Sequence, residues 1–358
     1  MEIEKAEAMA NSEQLSAVAE AIRAGIADPE RITLVGPEPQ PRFELFHAAS
    51  SLCSQKVRAV LHEKRLSYRS NDMIILCSMG AAGIVAAEHY APAYVRLRLQ
   101  AGRELNQALV SGYSGRTSVQ SEGFDPCVVP MLIDYQAGRV IVDSMRICLY
   151  LEAVSREPLC LLPEDEAEGS AVLRQMSIVD TLPNGALLYG FHPDADRRPD
   201  ILKAVMGTVY DYKIMALEAM IAANADDPEL VAAYRAKIAK ESGGRQVCHD
   251  AGFQRQAREN VAGLLADLEQ ALAAQASPWL SRHGFSMADL VWGVNLIRMA
   301  YLGLASMWDT LPHVSRYFEA LIQRPSLREE AIESSIRSLP PSSYLNALVA
   351  QRMASTAL

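Results

Sequence analysis

The sequence predicts an α/β domain followed by an all-α domain. Strand-like apolar runs are confined to residues 43–142, they are interleaved with helical spacing in the order β-α-β and then β-β-α, and everything after about residue 165 carries helical periodicity alone. The 358 residues hold 34 Lys and Arg against 43 Asp and Glu, a net charge of -9, and half of them are apolar. Such a chain buries its cores without disulfides or a structural metal. An acidic balance with no Lys/Arg-rich block argues against nucleic acid or an anionic membrane as partner. No apolar run approaches the roughly 18 residues of a membrane span, and the first thirty residues are acidic and amphipathic, so a cytoplasmic location is expected.

In order along the chain, residues 1–28 place Leu15, Val18, Ala19, Ile22 and Ile26 on one helical face. Pro37, Pro39 and Pro41 then make a stiff non-helical linker, so residues 1–40 read as an arm. Residues 43–47 read as a strand, and residues 54–63 as a helix with Val57, Val60 and Leu61 on one face. A second strand is expected around residues 73–76. Residues 87–99 look helical, and 111–123 show no pattern. Residues 128–134 and 139–142 form a hairpin whose turn ends in Gly138, and Ser144 is the expected N-cap of the next helix. Helical spacing follows over 167–181, 201–223, 228–240, 255–274, 287–307 and 313–324. The expected units are therefore 41–155, interrupted by an insertion at about 77–123, then 165–340 and a tail at 341–358.

The six cysteines include no CxxC and no tight Cys/His pairing, so neither a zinc site nor a disulfide framework is indicated. Cys53 differs from the others because it falls in the opening turn of the first helix after a strand. Unpaired N–H groups and the macrodipole favour a thiolate there, and Lys56 adds a cation one turn on. Asp143 and Ser144, at a later helix start, offer a hydroxyl and free N–H groups suited to a carboxylate. Pro130 reads either as an edge-strand proline or as a cis proline that leaves the backbone of Val129 free to pair with an extended ligand. His62-Glu63 lacks the second histidine of a zinc protease, Arg116 stands where a hydrolase elbow needs glycine, and no phosphate loop occurs.

This order of elements, with Val129-Pro130, then Asp143-Ser144 before a helix, then a helical domain, resembles the glutathione transferase superfamily. The resemblance implies a thioredoxin-like N-terminal domain and an all-α C-terminal domain. It makes Val129 the partner of the glutathione backbone, Pro130 the cis proline, and Asp143 with Ser144 the holders of the γ-glutamyl end. Phe285-Ser286-Met287-Ala288-Asp289 resembles the superfamily's capping box and hydrophobic staple, with Asp289 structural. The segments 43–47, 53–58, 94–99, 121–126 and 194–199 are similar to the superfamily's reductive dechlorinases of chlorinated hydroquinones, as is the Ser51-x-Cys53-Ser54 signature.

That similarity implies two stages. Glutathione thiolate displaces chloride to give an aryl thioether, which Cys53 resolves by attacking the glutathione sulfur, with Ser51 assisting the incoming thiol. Glutathione is then the co-substrate, and no metal, flavin or nicotinamide is required; a homodimer is expected from the superfamily. Aryl-ether cleavage or plain conjugation is one alternative, and a non-catalytic binding protein is another. Ala48, Ala49 and Ser50 are small and would make the substrate pocket roomier. His47 either faces that pocket or is structural, Arg197 and Arg198 either meet an anion or form a solvated loop, and Tyr189 is either a pocket residue or core.

Overall fold

The computed structural model describes residues 2–348, and of residues 2–10 only the backbone. Residues 349–358 of the expected tail lie outside the described residues. Helix α1 (Glu2–Arg23) is followed by a strand where only a linker was expected: β1 (Ile32–Val35) pairs antiparallel with β3 (Tyr68–Asp72). The helical arm and Pro-rich linker expected over residues 1–40 therefore also contribute a strand to the sheet. Two physical reasons apply. An unpaired β3 edge would expose its row of backbone donors and acceptors, and the fully buried Glu44 carboxylate takes two hydrogen bonds from Arg23 of α1, at 2.6 and 2.8 Å.

Strand β2 (Phe43–His47) is buried at every residue because it lies inside the five-stranded sheet, parallel to β3 and antiparallel to β6 (Met131–Asp134). The sheet order is β1-β3-β2-β6-β7, with β7 (Arg139–Val142) hairpinned to β6 through Gly138, whose φ of 59° suits glycine. The second strand, expected at 73–76, is instead Tyr68–Asp72. It escaped notice because it is polar: Asn71 donates to Glu44 and to the Leu45 carbonyl, and Ser70 meets His47, so most of its buried polar groups find partners across the sheet, the Asn71 Oδ1 excepted.

Helix α2 (Leu52–Glu63) begins at the Ser51 N-cap and buries Val57, Val60 and Leu61 against α5 (Ser144–Val154) on one sheet face. Each such side chain contributes about 1.5–3 kcal/mol by leaving water. The expected insertion contains a small hairpin, β4 (Ser78–Gly80) and β5 (Gly83–Val85), then α3 (Pro92–Gly102) and the one-turn α4 (Val119–Glu122). Of these, α3 is no appendage, since it packs on β7 and α1 across the other sheet face. Helices on both faces bury the sheet.

The helical part comprises α6 (Glu166–Asp180), α7 (Asn184–Tyr189), α8 (Asp200–Ala223), α9 (Pro228–Val247), α10 (Ala251–Ala273), α11 (Met287–Tyr301) and α12 (Pro312–Gln323). Residues 325–338 continue as an irregular helical stretch with a π-helical turn at Arg328–Glu333. Neither α7 nor this stretch was expected. Helix α11 is buried along its whole length and packs on α2, α6 and α12. The structural role expected of Asp289 is visible: its carboxylate accepts from Ser286 N (2.8 Å) and Oγ (2.6 Å), Leu280 N (2.9 Å) and Tyr317 Oη (2.9 Å). Among the described residues no helix is long and apolar enough to cross a membrane.

Glu88 clasps the N-terminal segment to the domain. It accepts from Ala27 N at 2.9 Å, Ile74 N at 2.8 Å and two Arg31 nitrogens at 2.6 and 2.8 Å. Burial pushes its pKa up, but these hydrogen bonds and the Arg31 charge outweigh that and hold it below 4.5. Because the folded value is depressed, the clasp stabilises fully above the unfolded carboxylate range and is lost as pH falls through the folded value. Protection of residues 15–26 against hydrogen exchange, measured relative to the intrinsic rate at each pH, should therefore fall on acidification below about pH 4.5. In Glu88→Gln exchange should already be fast at neutral pH, with the acid step reduced; an unchanged step would assign it to another group.

Candidate active site

The turn from β2 into α2 sets the centre of the site. Ser51 caps α2, its Oγ accepting the Ser54 N–H at 3.3 Å, which leaves the hydroxyl proton free to donate. Cys53 follows two residues later, partly exposed. The loop before it is held from three directions: the Ala49 N–H donates to Asp72 at 2.7 Å, the Ala49 carbonyl accepts from Gln55, Arg58 and Ser334, and the Ser50 carbonyl accepts from Arg298 at 2.6 Å.

Ser51 and Cys53 line two adjoining cavities, each of about 930 Å³ counted to its open mouth. The first is also walled by Val129, Pro130, Asp143 and Ser144. The Val129–Pro130 bond is cis, and among the described residues neither the N–H nor the C=O of Val129 has a backbone partner. Here the expected N-cap needs correction. Asp143, at φ 75°, is the cap, its carboxylate accepting from Met145 N and Arg146 N at 3.1 Å each, and Ser144 is the first helical residue. Burial pushes the Asp143 pKa up.

The far wall of this cavity is charged. Lys237 meets Asp125 at 2.7 Å and Glu241 at 3.0 Å, Lys213 meets Glu241 at 3.1 Å, and Lys240 meets Glu122 at 2.7 Å. Burial pushes both Asp125 and Glu241 up, but the lysines outweigh it, holding Asp125 well below the carboxylate range and Glu241 at about 2. Lys213 also lies over the Tyr189 ring, 4.4 Å from its centroid.

The second cavity is largely apolar. Ser50, Ile75, Leu188, Leu202, Met206 and Pro340 line it together with Tyr189 and Arg298. Of the residues expected here, Ser50 and Tyr189 are in place. His47 is not: it is 3% exposed, bonded to Ser70 at 2.7 Å and Arg58 at 3.0 Å, and burial beside Arg58 pushes its pKa well down. Arg198 is buried against Asp196 and the Leu188 carbonyl, and Arg197 bonds Ser306, so neither lines a cavity. Lys56 is 1% exposed and lines neither cavity; its charge favours ionisation of Asp143 and Cys148. Ala48 is buried and Ala49 is occupied with loop bonds, so only Ser50 of that trio widens the pocket.

Arg298 and the lysine-rich wall were missed. The first had a signal: it is the one cation in the otherwise apolar α11, where Asp289 is the only other charge. The lysines did not, because Glu122 and Asp125 reach them from a distant loop and only the folded chain brings that loop to α9.

The family model described as the glutathione S-transferase N-terminal domain matches residues 50–154. A 2,5-dichlorohydroquinone reductive dechlorinase of Sphingobium indicum is 40% identical over 331 residues, covering 88% of this chain and 93% of its own. The tetrachloro-p-hydroquinone reductive dehalogenase of Sphingobium chlorophenolicum is 23% identical, covering 80% of this chain and 94% of its own. The apo crystal structure of glutathione S-transferase III superposes with a TM-score of 0.51 at 16% identity, over 84% of this chain and 99% of that one, a likeness of fold. With a thiol at a helix start, a cis proline and a helical second domain in place, the chain belongs to the glutathione transferase family, alongside the 2,5-dichlorohydroquinone reductive dechlorinases.

Proposed function

We propose that the protein is a glutathione-dependent reductive dechlorinase of a chlorinated hydroquinone. The observation that carries the reading is that Cys53 and Ser51 are shared by two cavities of different character, one suited to a peptide and one to an aromatic ring. Its 40% identity to a reductive dechlorinase supports the reaction class.

Glutathione would pair its backbone with Val129 and place its γ-glutamyl end at Asp143 and Ser144, the carboxylate accepting from the Ser144 hydroxyl. The free Ser51 proton would be donated to its sulfur. In the first stage the glutathione sulfur bonds to the chlorine-bearing carbon of the quinoid tautomer, and chloride leaves with the C–Cl electron pair. In the second, the Cys53 thiolate attacks that sulfur, the carbon–sulfur bond breaks, and the ring carbon takes a proton. A second glutathione then displaces Cys53 from the mixed disulfide. One aryl chloride and two glutathiones thus give the aryl hydrogen compound, glutathione disulfide and hydrogen chloride. This balances without a metal, flavin or nicotinamide, and a cytoplasmic pool of reduced glutathione would supply the thiols.

The test is incubation of the wild-type enzyme with 2,5-dichlorohydroquinone and glutathione, following chloride and products. Chloride with chlorohydroquinone and glutathione disulfide is expected. A stable thioether would replace this reading with a conjugating one, and no chloride would overturn it; failure to bind glutathione at millimolar concentration would point to a non-catalytic protein.

A further inference from the structure

We infer that Arg298 is the receptor for the ionised hydroxyl of the aromatic substrate, so that the ring enters the second cavity as a phenolate. The inference rests on reading that cavity as the ring site. Arg298 is 5% exposed and lines the cavity beside Cys53. Its Nη2 donates to the Ser50 carbonyl at 2.6 Å and to Gln55 Oε1 at 3.3 Å, while its Nε is buried without a partner. Among the described residues no carboxylate lies within ion-pair distance of it. Two other buried arginines contrast with it: Arg58 pairs with Glu330 at 2.7 Å and Arg198 with Asp196 at 2.5 Å.

A buried cation with no counter-ion is costly, and its cost falls when an anion arrives. The groups facing it are Cys53 from α2, whose thiolate is needed only in the second stage, Tyr189 from α7 and Tyr301 of its own helix; none is a carboxylate. Burial accordingly lowers the Arg298 pKa. Apolar walls exclude a hydrated inorganic ion but accept a flat ring, and a guanidinium matches a phenolate oxygen. The hydroxyl proton passes to solvent, and no other bond changes. Arg298 thereby takes the role that Arg197 and Arg198 cannot fill.

The probe is 4-nitrophenol, whose phenolate is coloured, with 4-nitroanisole as the form that cannot ionise. Binding to the wild type should lower the ionisation midpoint of 4-nitrophenol by about one pH unit, and 4-nitroanisole should bind at least about tenfold more weakly above that midpoint. The same shift should appear in a Cys53→Ser background, which removes the thiol titration. Arg298→Gln should lose the shift and Arg298→Lys should keep part of it, with glutathione affinity and thermal midpoint reporting that each is folded. If Arg298→Gln fails to fold, the wild-type preference for phenolate over anisole and its partial retention in Arg298→Lys decide the matter. Equal binding of both probes, or an unchanged shift in folded Arg298→Gln, overturns the inference. An enzyme that shows the shift yet releases no chloride from 2,5-dichlorohydroquinone keeps this inference and loses the dechlorinase reading.

Discussion

Cys53→Ser should release chloride and stop there. The substitution keeps the side chain's size and the α2 cap at Ser51, so the cavity that receives glutathione retains its walls. The first stage needs the glutathione sulfur and the ring, and neither is altered. The second needs a thiolate to attack sulfur, and a serine hydroxyl is too weak a nucleophile towards sulfur at neutral pH. Dechlorinated product should fall below about one hundredth of the wild-type rate, a barrier rise of about 2.7 kcal/mol, while a glutathionyl-hydroquinone accumulates. Mass spectrometry of the products beside chloride measurement separates the cases. Undiminished chlorohydroquinone would remove Cys53 from the mechanism, and loss of chloride as well would move it into the first stage.

Lys237→Met should cost the fold about 3 kcal/mol, the lower end of the penalty for breaking a buried ion pair. Lys237 is 4% exposed, and both of its partners, Asp125 and Glu241, are buried with it. Lys213 stays on Glu241 at 3.1 Å and Lys240 stays 3.5 Å from Asp125, so each acid keeps one cation and loses the nearer one that they share. The sign with pH follows from the depressed carboxylates. In the wild type their contribution is complete above the unfolded carboxylate range and is lost as pH falls through the folded values, with Glu241 at about 2. Without Lys237 those values rise, so the loss should be large at pH 7.5 and shrink towards pH 4. Urea midpoints of the two proteins at both pH values provide the measurement. A deficit that does not vary with pH would mean the cost is packing. The same variant should weaken glutathione binding, because the loop carrying Asp125 leads directly to Val129 and Pro130.

Local signals made much of the site legible. A helix start fixes the setting of Cys53, whereas the cis form of Pro130 was implied by the family resemblance, and the cap expected at Ser144 fell to Asp143. The polar strand β3 was misplaced because Ser70 and the Asn71 amide nitrogen bond across the sheet to His47, Glu44 and Leu45, contacts that no periodicity records. Arg197 and Arg198 looked available for an anion, yet Asp196 and Ser306 had already taken them. Arg298 was the reverse case. Its helix reads as pure core, and only the folded chain shows that its end meets the loop before Cys53, almost 250 positions earlier.

That loop is finished from the far end of the chain. Ser334 bonds the Ala49 carbonyl, Ser335 bonds Gln55, and Glu330 bonds Arg58. A ribosome delivers the sheet and α2 first and these three residues hundreds of codons later. Until they emerge, the thiol stands on a turn held only by Asp72, Gln55 and Arg58, with the second cavity still missing Arg298 and Pro340. Catalytic competence therefore arrives late in synthesis, and a half-made chain has little capacity to draw on the cell's glutathione.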